Sequence, residues 1–310
     1  MITAPAPTRN VAPMLAHGLS LQNPDGGFGA RAGLPSTTEP TALMLLALSD
    51  ADDRGATERT RAWLVATQTP EGGWPATSTT RAPSWTTSLA VLALGRSDAT
   101  REETMRGAQW LLGQEGRRLN VSPSLLDRLL GREPVVPFDD SLVGWPWLVE
   151  TFSWVEPTAY AVLALTAVRT RLAPGDAAAR IDAARRMIVD RVCPDGGWNY
   201  GNSRVLGQGL WPYPDTTALA LLALHGHPDA AVTTRSLDAL ERMLRDNESG
   251  LATALGILAL GAYGRDVTAL RTRLRERFMR TGFLGETRAL AYALLALGDR
   301  ERPFADATDA

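Results

Sequence analysis

One apolar phrase recurs six times along this 310-residue chain and limits what it can fold into. It reads Thr41-Ala-Leu-Met-Leu-Leu-Ala-Leu48, Ser88-Leu-Ala-Val-Leu-Ala-Leu94, Ala159-Tyr-Ala-Val-Leu-Ala-Leu165, Ala218-Leu-Ala-Leu-Leu-Ala-Leu224, Ala254-Leu-Gly-Ile-Leu-Ala-Leu260 and Ala291-Tyr-Ala-Leu-Leu-Ala-Leu297. Wound as a helix, each phrase is apolar on nearly every face and must be buried against several neighbours. A more polar helical stretch precedes each one, at 14–22, 58–68, 101–115, 179–192, 234–246 and 267–280. Self-similarity at this spacing is the signature of a repeat architecture. The unit is clearest from Arg185 to Gly226. There an amphipathic helix stops at Cys193-Pro-Asp-Gly-Gly-Trp198, and a buried one starts at Asp215-Thr216-Thr217 and ends at Gly226.

Six outer and six inner helices fit either a closed ring or an open solenoid. A solenoid needs polar capping repeats at its ends, and neither the first nor the last inner phrase is polar. The expectation is therefore all-α, an (α/α)6 toroid at 13–300. Its flanks are an extended or disordered 1–12 and a tail at 301–310, and one long insertion lies at 116–153. That insertion holds a candidate short helix (Ser124 to Leu130), Asp139-Asp140 and the run Trp145-Pro146-Trp147, and reads as a lid over one mouth. Asp139-Asp140 has no second acidic motif to partner it and reads as a solvated turn.

The formal net charge is −2, every basic residue is Arg, and no basic run marks a nucleic-acid partner. The single Cys rules out an intrachain disulfide and suits a reducing, cytoplasmic setting. No apolar run approaches the roughly 20 residues that span a bilayer, which leaves only peripheral membrane contact open.

Three linkers share a turn: Gln22-Asn-Pro-Asp-Gly-Gly-Phe28, Gln68-Thr-Pro-Glu-Gly-Gly-Trp74 and Cys193-Pro-Asp-Gly-Gly-Trp198. With Arg61-Ala-Trp-Leu-Val-Ala-Thr-Gln68 before the second, this resembles the Gln-Trp (QW) repeat of squalene-hopene and oxidosqualene cyclases, whose wider relatives include protein prenyltransferase β subunits. The resemblance covers nearly the whole chain. It implies the toroid fold, a hydrophobic isoprenoid as ligand, and a scaffold role for the Gln and Trp.

Inner helices of a toroid all run one way, so their N-termini share one rim. Stepping back eight residues from the last Ala of each phrase places Glu39, Trp85, Glu156, Asp215, Leu251 and Arg288 at equal height. Helix capping and ion pairing account for these charges as well as function does, and closure would set Arg288 beside Glu39. In class II terpene cyclases an Asp-rich motif opens one inner helix and supplies the proton that starts the reaction. The resemblance carries that role to Asp215 within Tyr213-Pro-Asp-Thr-Thr-Ala218, with Glu156 and Glu39 as supporting acids; Tyr213 and Thr216 replace the family's flanking acids. Trp85, Trp154, Trp211, Tyr200 and Tyr213 are the candidate aromatic faces for a carbocation. Arg81 and Arg204, with Arg31, are candidates for a substrate head group.

The family's prenyltransferases hold zinc through Asp, Cys and His. Here Thr217 and Leu251 stand at the Cys and His positions, so no metal is expected, and magnesium only if the substrate is a diphosphate. The expectation is a protonation-initiated cyclase or isomerase acting on a linear isoprenoid or prenyl diphosphate. The alternative is a non-catalytic isoprenoid-binding or partner subunit, favoured if the centre is filled.

Overall fold

A computed structural model describes residues 11–49, 53–77, 79–118, 138–173, 175–282, 284–298 and 304. The candidate helix at 124–130 and most of the two chain ends lie outside these residues. Among them are twelve α-helices: α1 (Ala12–Ser20), α2 (Thr38–Leu48), α3 (Arg54–Thr67), α4 (Thr86–Leu94), α5 (Arg101–Leu112), α6 (Val155–Ala167), α7 (Asp176–Asp190), α8 (Pro214–Ala223), α9 (Ala230–Leu244), α10 (Gly250–Ala262), α11 (Thr268–Thr281) and α12 (Thr287–Leu297).

The even-numbered helices carry the six apolar phrases and form the inner ring. Each packs on the next, α2 on α4, α4 on α6, α6 on α8, α8 on α10 and α10 on α12, and α12 packs back on α2. Every residue of α4 is buried, as the all-round apolar pattern requires. The odd-numbered helices lie outside: α3 buries only Ala56, Thr57, Thr60, Trp63 and Leu64. The architecture is a closed (α/α)6 toroid. At its seam Thr287 of the last inner helix donates its backbone N–H to Ala30 O (2.9 Å) and its hydroxyl to Gly29 O (2.7 Å).

Several outer helices begin earlier than the polar pattern suggests. The Asp53 carboxylate accepts the Ala56 N–H and Asp229 that of Val232, so capping extends α3 and α9 by about a turn.

The repeated turn is a bracket between outer and inner helices. The backbone N–H of Phe28, Trp74 and Trp198 donates to the hydroxyl of Thr41, Thr87 and Thr217 on the following inner helix, at 2.8–2.9 Å. The indoles of Trp74 and Trp198 donate to Leu64 O and Ile188 O of the preceding outer helix. The first Gly of each pair has φ of 87–96° and sits so close to the next outer helix that a Cβ would meet a backbone carbonyl at 2.7–2.9 Å. Gln22 and Gln68 donate across to Ala56 O and Glu103 O.

The third repeat keeps this bracket, which the sequence pattern hides. Trp145 donates its amide to Thr158 and its indole to Leu111 O, both at 2.9 Å, so the long insertion interrupts the turn between Gln114 and Gly144. Arg180 of α7 locks it, stacking 3.8 Å over Trp145 and donating to Gln114 O, Val143 O and Gly144 O. A two-residue hairpin, β1 (Arg204–Val205) and β2 (Gln208–Gly209), turns through Leu206 and Gly207 with positive φ in the loop before α8.

Thr217 is fully buried and holds both backbone groups of Trp198. Thr217→Val should leave that amide unpaired and lower unfolding free energy by about 1–3 kcal/mol. Urea unfolding at unchanged helical content checks this.

Candidate functional site

The six inner N-termini bring the rim residues to one mouth, and the charges there are organised by Arg288. Its Nη1 lies 3.2 Å from Glu39 Oε1 and 3.8 Å from Glu156 Oε1, and its Nε lies 3.1 Å from Glu286 Oε1. Arg288 opens α12, Glu39 opens α2 and Glu156 opens α6, so ring closure itself assembles the cluster. The side chains of Glu39, Glu156 and Arg288 are 25%, 12% and 29% exposed. The bond to Glu39 meets hydrogen-bond geometry, whereas Glu156 is touched only by charge.

That asymmetry separates the two glutamates. Burial raises the pKa of Glu39, opposed by the Arg288 charge and hydrogen bond. Burial raises Glu156, Arg288 opposes it and the charges of Asp215 and Glu39 add to it, for a pKa of about 7 in all. Arg288 moves up as well: burial alone would lower it, but Glu39, Tyr160, Glu286 and Glu156 outweigh that. The cluster therefore sets one guanidinium against two glutamates whose pKa burial raises, Glu156 to about 7.

Asp215 lies in the first turn of α8, inside the helix, and its Oδ1 accepts the neighbouring Thr216 N–H at 3.0 Å. It is near enough to act on Glu156 and Tyr200 by charge. Thr217, at the position of a prenyltransferase's zinc-binding Cys, is a scaffold residue. Among the described residues no group of three His, Cys, Asp or Glu could hold a metal ion.

Aromatic faces border the cluster. Trp85 stacks on Tyr160 (centroids 5.6 Å, 28° between planes) and meets Trp147 edge-on at 4.7 Å. Tyr200 and Tyr213 lie 5.1 Å apart across the loop before α8, and the Tyr200 carbonyl accepts the Val155 N–H at the start of α6. Trp154 is the N-cap of α6, while Trp211 is 78% exposed. Arg31, Arg81 and Arg204 are exposed on three separate loops. The guanidinium among the acids is that of Arg288.

One turn below the rim, Tyr160 of α6 and Tyr292 of α12 reach across the ring and join hydroxyl to hydroxyl at 2.8 Å. Both are buried, and burial holds both phenols well above their ordinary pKa. Tyr160, Tyr292, Trp147 and Glu286 are absent from the sequence-derived set. Extending the rim register by four residues, one helical turn, finds both tyrosines.

No protein-family model matches the chain, and no curated protein matches it. Solved structures share its fold. A protein from Actinoplanes is 18% identical with a TM-score of 0.59, over 94% of this chain and 98% of that one. A variant of the type II terpene cyclase MstE from Scytonema, in complex with geranylgeranyl dihydroxybenzoate, is 15% identical with a TM-score of 0.55, over 95% and 79%. A variant α-1,6-mannanase of Salegentibacter sp. HEL1_6 is 9% identical with a TM-score of 0.58, over 94% and 98%. At these identities the likeness carries the toroid and no activity, since a cyclase and a glycoside hydrolase share it.

Because the folded protein holds the Glu156 proton more tightly than an unfolded chain, that group favours folding below pH 4.5. The advantage, roughly 3 kcal/mol, is lost as pH rises from about 4.5 to about 7. Glu156→Gln should flatten this stretch of the stability–pH curve. A Glu156 carboxyl titrating near 4.5 by carbon-13 NMR would contradict the assignment.

Proposed function

We propose that this protein is a protonation-initiated isoprenoid cyclase or isomerase of the class II type, with Glu156 as proton donor. The observation that carries this is the largely buried Glu156 side chain, its pKa raised by burial to about 7, one turn above Tyr160, whose ring stacks on Trp85. Protonating an alkene requires a carboxyl that keeps its proton at rest yet gains from losing it in the transition state. The first turn of α6 and the nearby Arg288 guanidinium stabilise the carboxylate left behind. The aromatic faces supply quadrupoles for the cation, each worth about 2 kcal/mol when desolvated. Glu39 accepts the Arg288 hydrogen bond, while burial, helped by the charges of Asp215 and Glu39, holds the proton on Glu156. The scaffold is one on which the cyclase MstE binds geranylgeranyl dihydroxybenzoate.

A second reading rests on the filled centre. With Tyr160 and Tyr292 meeting inside the ring, the chain would serve as a non-catalytic isoprenoid-binding module or partner subunit.

Linear isoprenoids, their alcohols and their diphosphates, incubated with the protein and analysed by gas chromatography with mass spectrometry, separate the readings. Glu156→Gln is expected to lower turnover at least 100-fold with ligand affinity within about threefold of wild type, and Asp215→Asn to lower it less. Turnover should fall as pH rises past about 7, where the acid form of Glu156 is lost. Equal product from wild type and Glu156→Gln would overturn the donor assignment. Binding without any product would favour the second reading.

A further inference from the structure

We infer that the Tyr160–Tyr292 hydroxyl bridge is the floor of the acid site and limits how much of an isoprenoid chain can enter, an inference that rests on the isoprenoid reading above. Tyr160 lies four residues after Glu156 and Tyr292 four after Arg288, so each stands one turn deeper on the same face as a rim charge. α6 touches α4 and α8, whereas α12 touches α10 and α2, which makes the two helices opposite walls of the ring. A 2.8 Å contact between their hydroxyls therefore crosses the lumen.

The equivalent residues of the other four inner helices are Leu43, Leu89, Leu219 and Leu255, all buried. The layer is thus four leucines and two phenols, and only the phenols are long enough to meet at the axis. Seven residues after each rim position stands a leucine, Leu163 and Leu295 among them, so the wall beneath the floor is apolar.

The floor is held in place from three directions. Trp85 stacks on Tyr160, Phe304 meets Tyr292 edge-on at 6.4 Å, and the two hydroxyls pair with each other. A chain pushed past them would separate these buried hydroxyls with only apolar side chains to replace the bond. Ligand length beyond the rim layer then gains no burial, while a ring of six leucines at this level would let a longer chain descend.

The test is chain-length dependence of binding, read by tryptophan fluorescence quenching or calorimetry with geraniol, farnesol and geranylgeraniol as probes. Wild type should bind all three within about threefold. Tyr160→Leu/Tyr292→Leu completes the leucine layer and should bind geranylgeraniol at least about tenfold tighter than geraniol, because each buried methylene adds affinity. Tyr292→Leu alone is the second variant should the double one fail to fold. Tyr292→Phe keeps the ring and should keep the flat profile. Wild-type affinity rising with chain length as steeply as in the leucine variants overturns the floor, and if turnover still depends on Glu156 the isoprenoid reading survives that result. Binding of no isoprenol to any of these proteins removes that reading and the floor with it.

Discussion

Helices that are apolar on every side have no stable place at an edge, and that constraint shapes everything else in this protein. Six such helices satisfy one another only when the last returns to the first. The seam bonds from Thr287 to Gly29 and Ala30 make the return specific. Outer helices then cover the ring, and the aromatic–threonine brackets fix the height at which four of the six inner helices, α2, α4, α6 and α8, begin. Equal heights are what turn six separate N-termini into a rim.

The rim chemistry follows from the same closure. Arg288 and Glu39 are 249 residues apart, yet the ring makes them neighbours. Helix N-termini favour anions, so carboxylates collect at this end, and a single guanidinium cannot neutralise Glu39, Glu156, Glu286 and Asp215 together. Of the three glutamates that Arg288 contacts, Glu156 is the least exposed and lacks the hydrogen bond that Glu39 receives, and burial raises its pKa to about 7. The pKa of one side chain is thus set by the topology of the whole chain.

Much of this was legible in the residues. The six phrases specify the toroid, and counting back from them places Glu39, Glu156 and Arg288 together. Asp215 is read in sequence as the leading acid because a family motif points to it, whereas the raised pKa of Glu156 depends on burial and on neighbouring charges, which no motif records. Trp145 is missed as a repeat residue because the insertion carries it far from Gln114, and only its bonds to Thr158 and Leu111 restore the register. The hairpin at 204–209 is short, solvent-exposed and paired with nothing else, so it leaves little hydrophobic pattern to read.

Tyr160 and Tyr292 show why a register argument has to continue inward from the charged layer. Within the apolar phrases they read as two more large core residues, and each alone would be a buried hydroxyl in need of a partner. Only a closed ring puts that partner on the opposite wall. Burial keeps both phenols neutral, so the floor adds no charge of its own beneath the acids. Above that uncharged layer, desolvation favours the protonated form of Glu156 and the Arg288 guanidinium opposes it. Burial outweighs the opposing Arg288 charge, and the charges of Asp215 and Glu39 add to it, which is why the carboxyl rises to about 7.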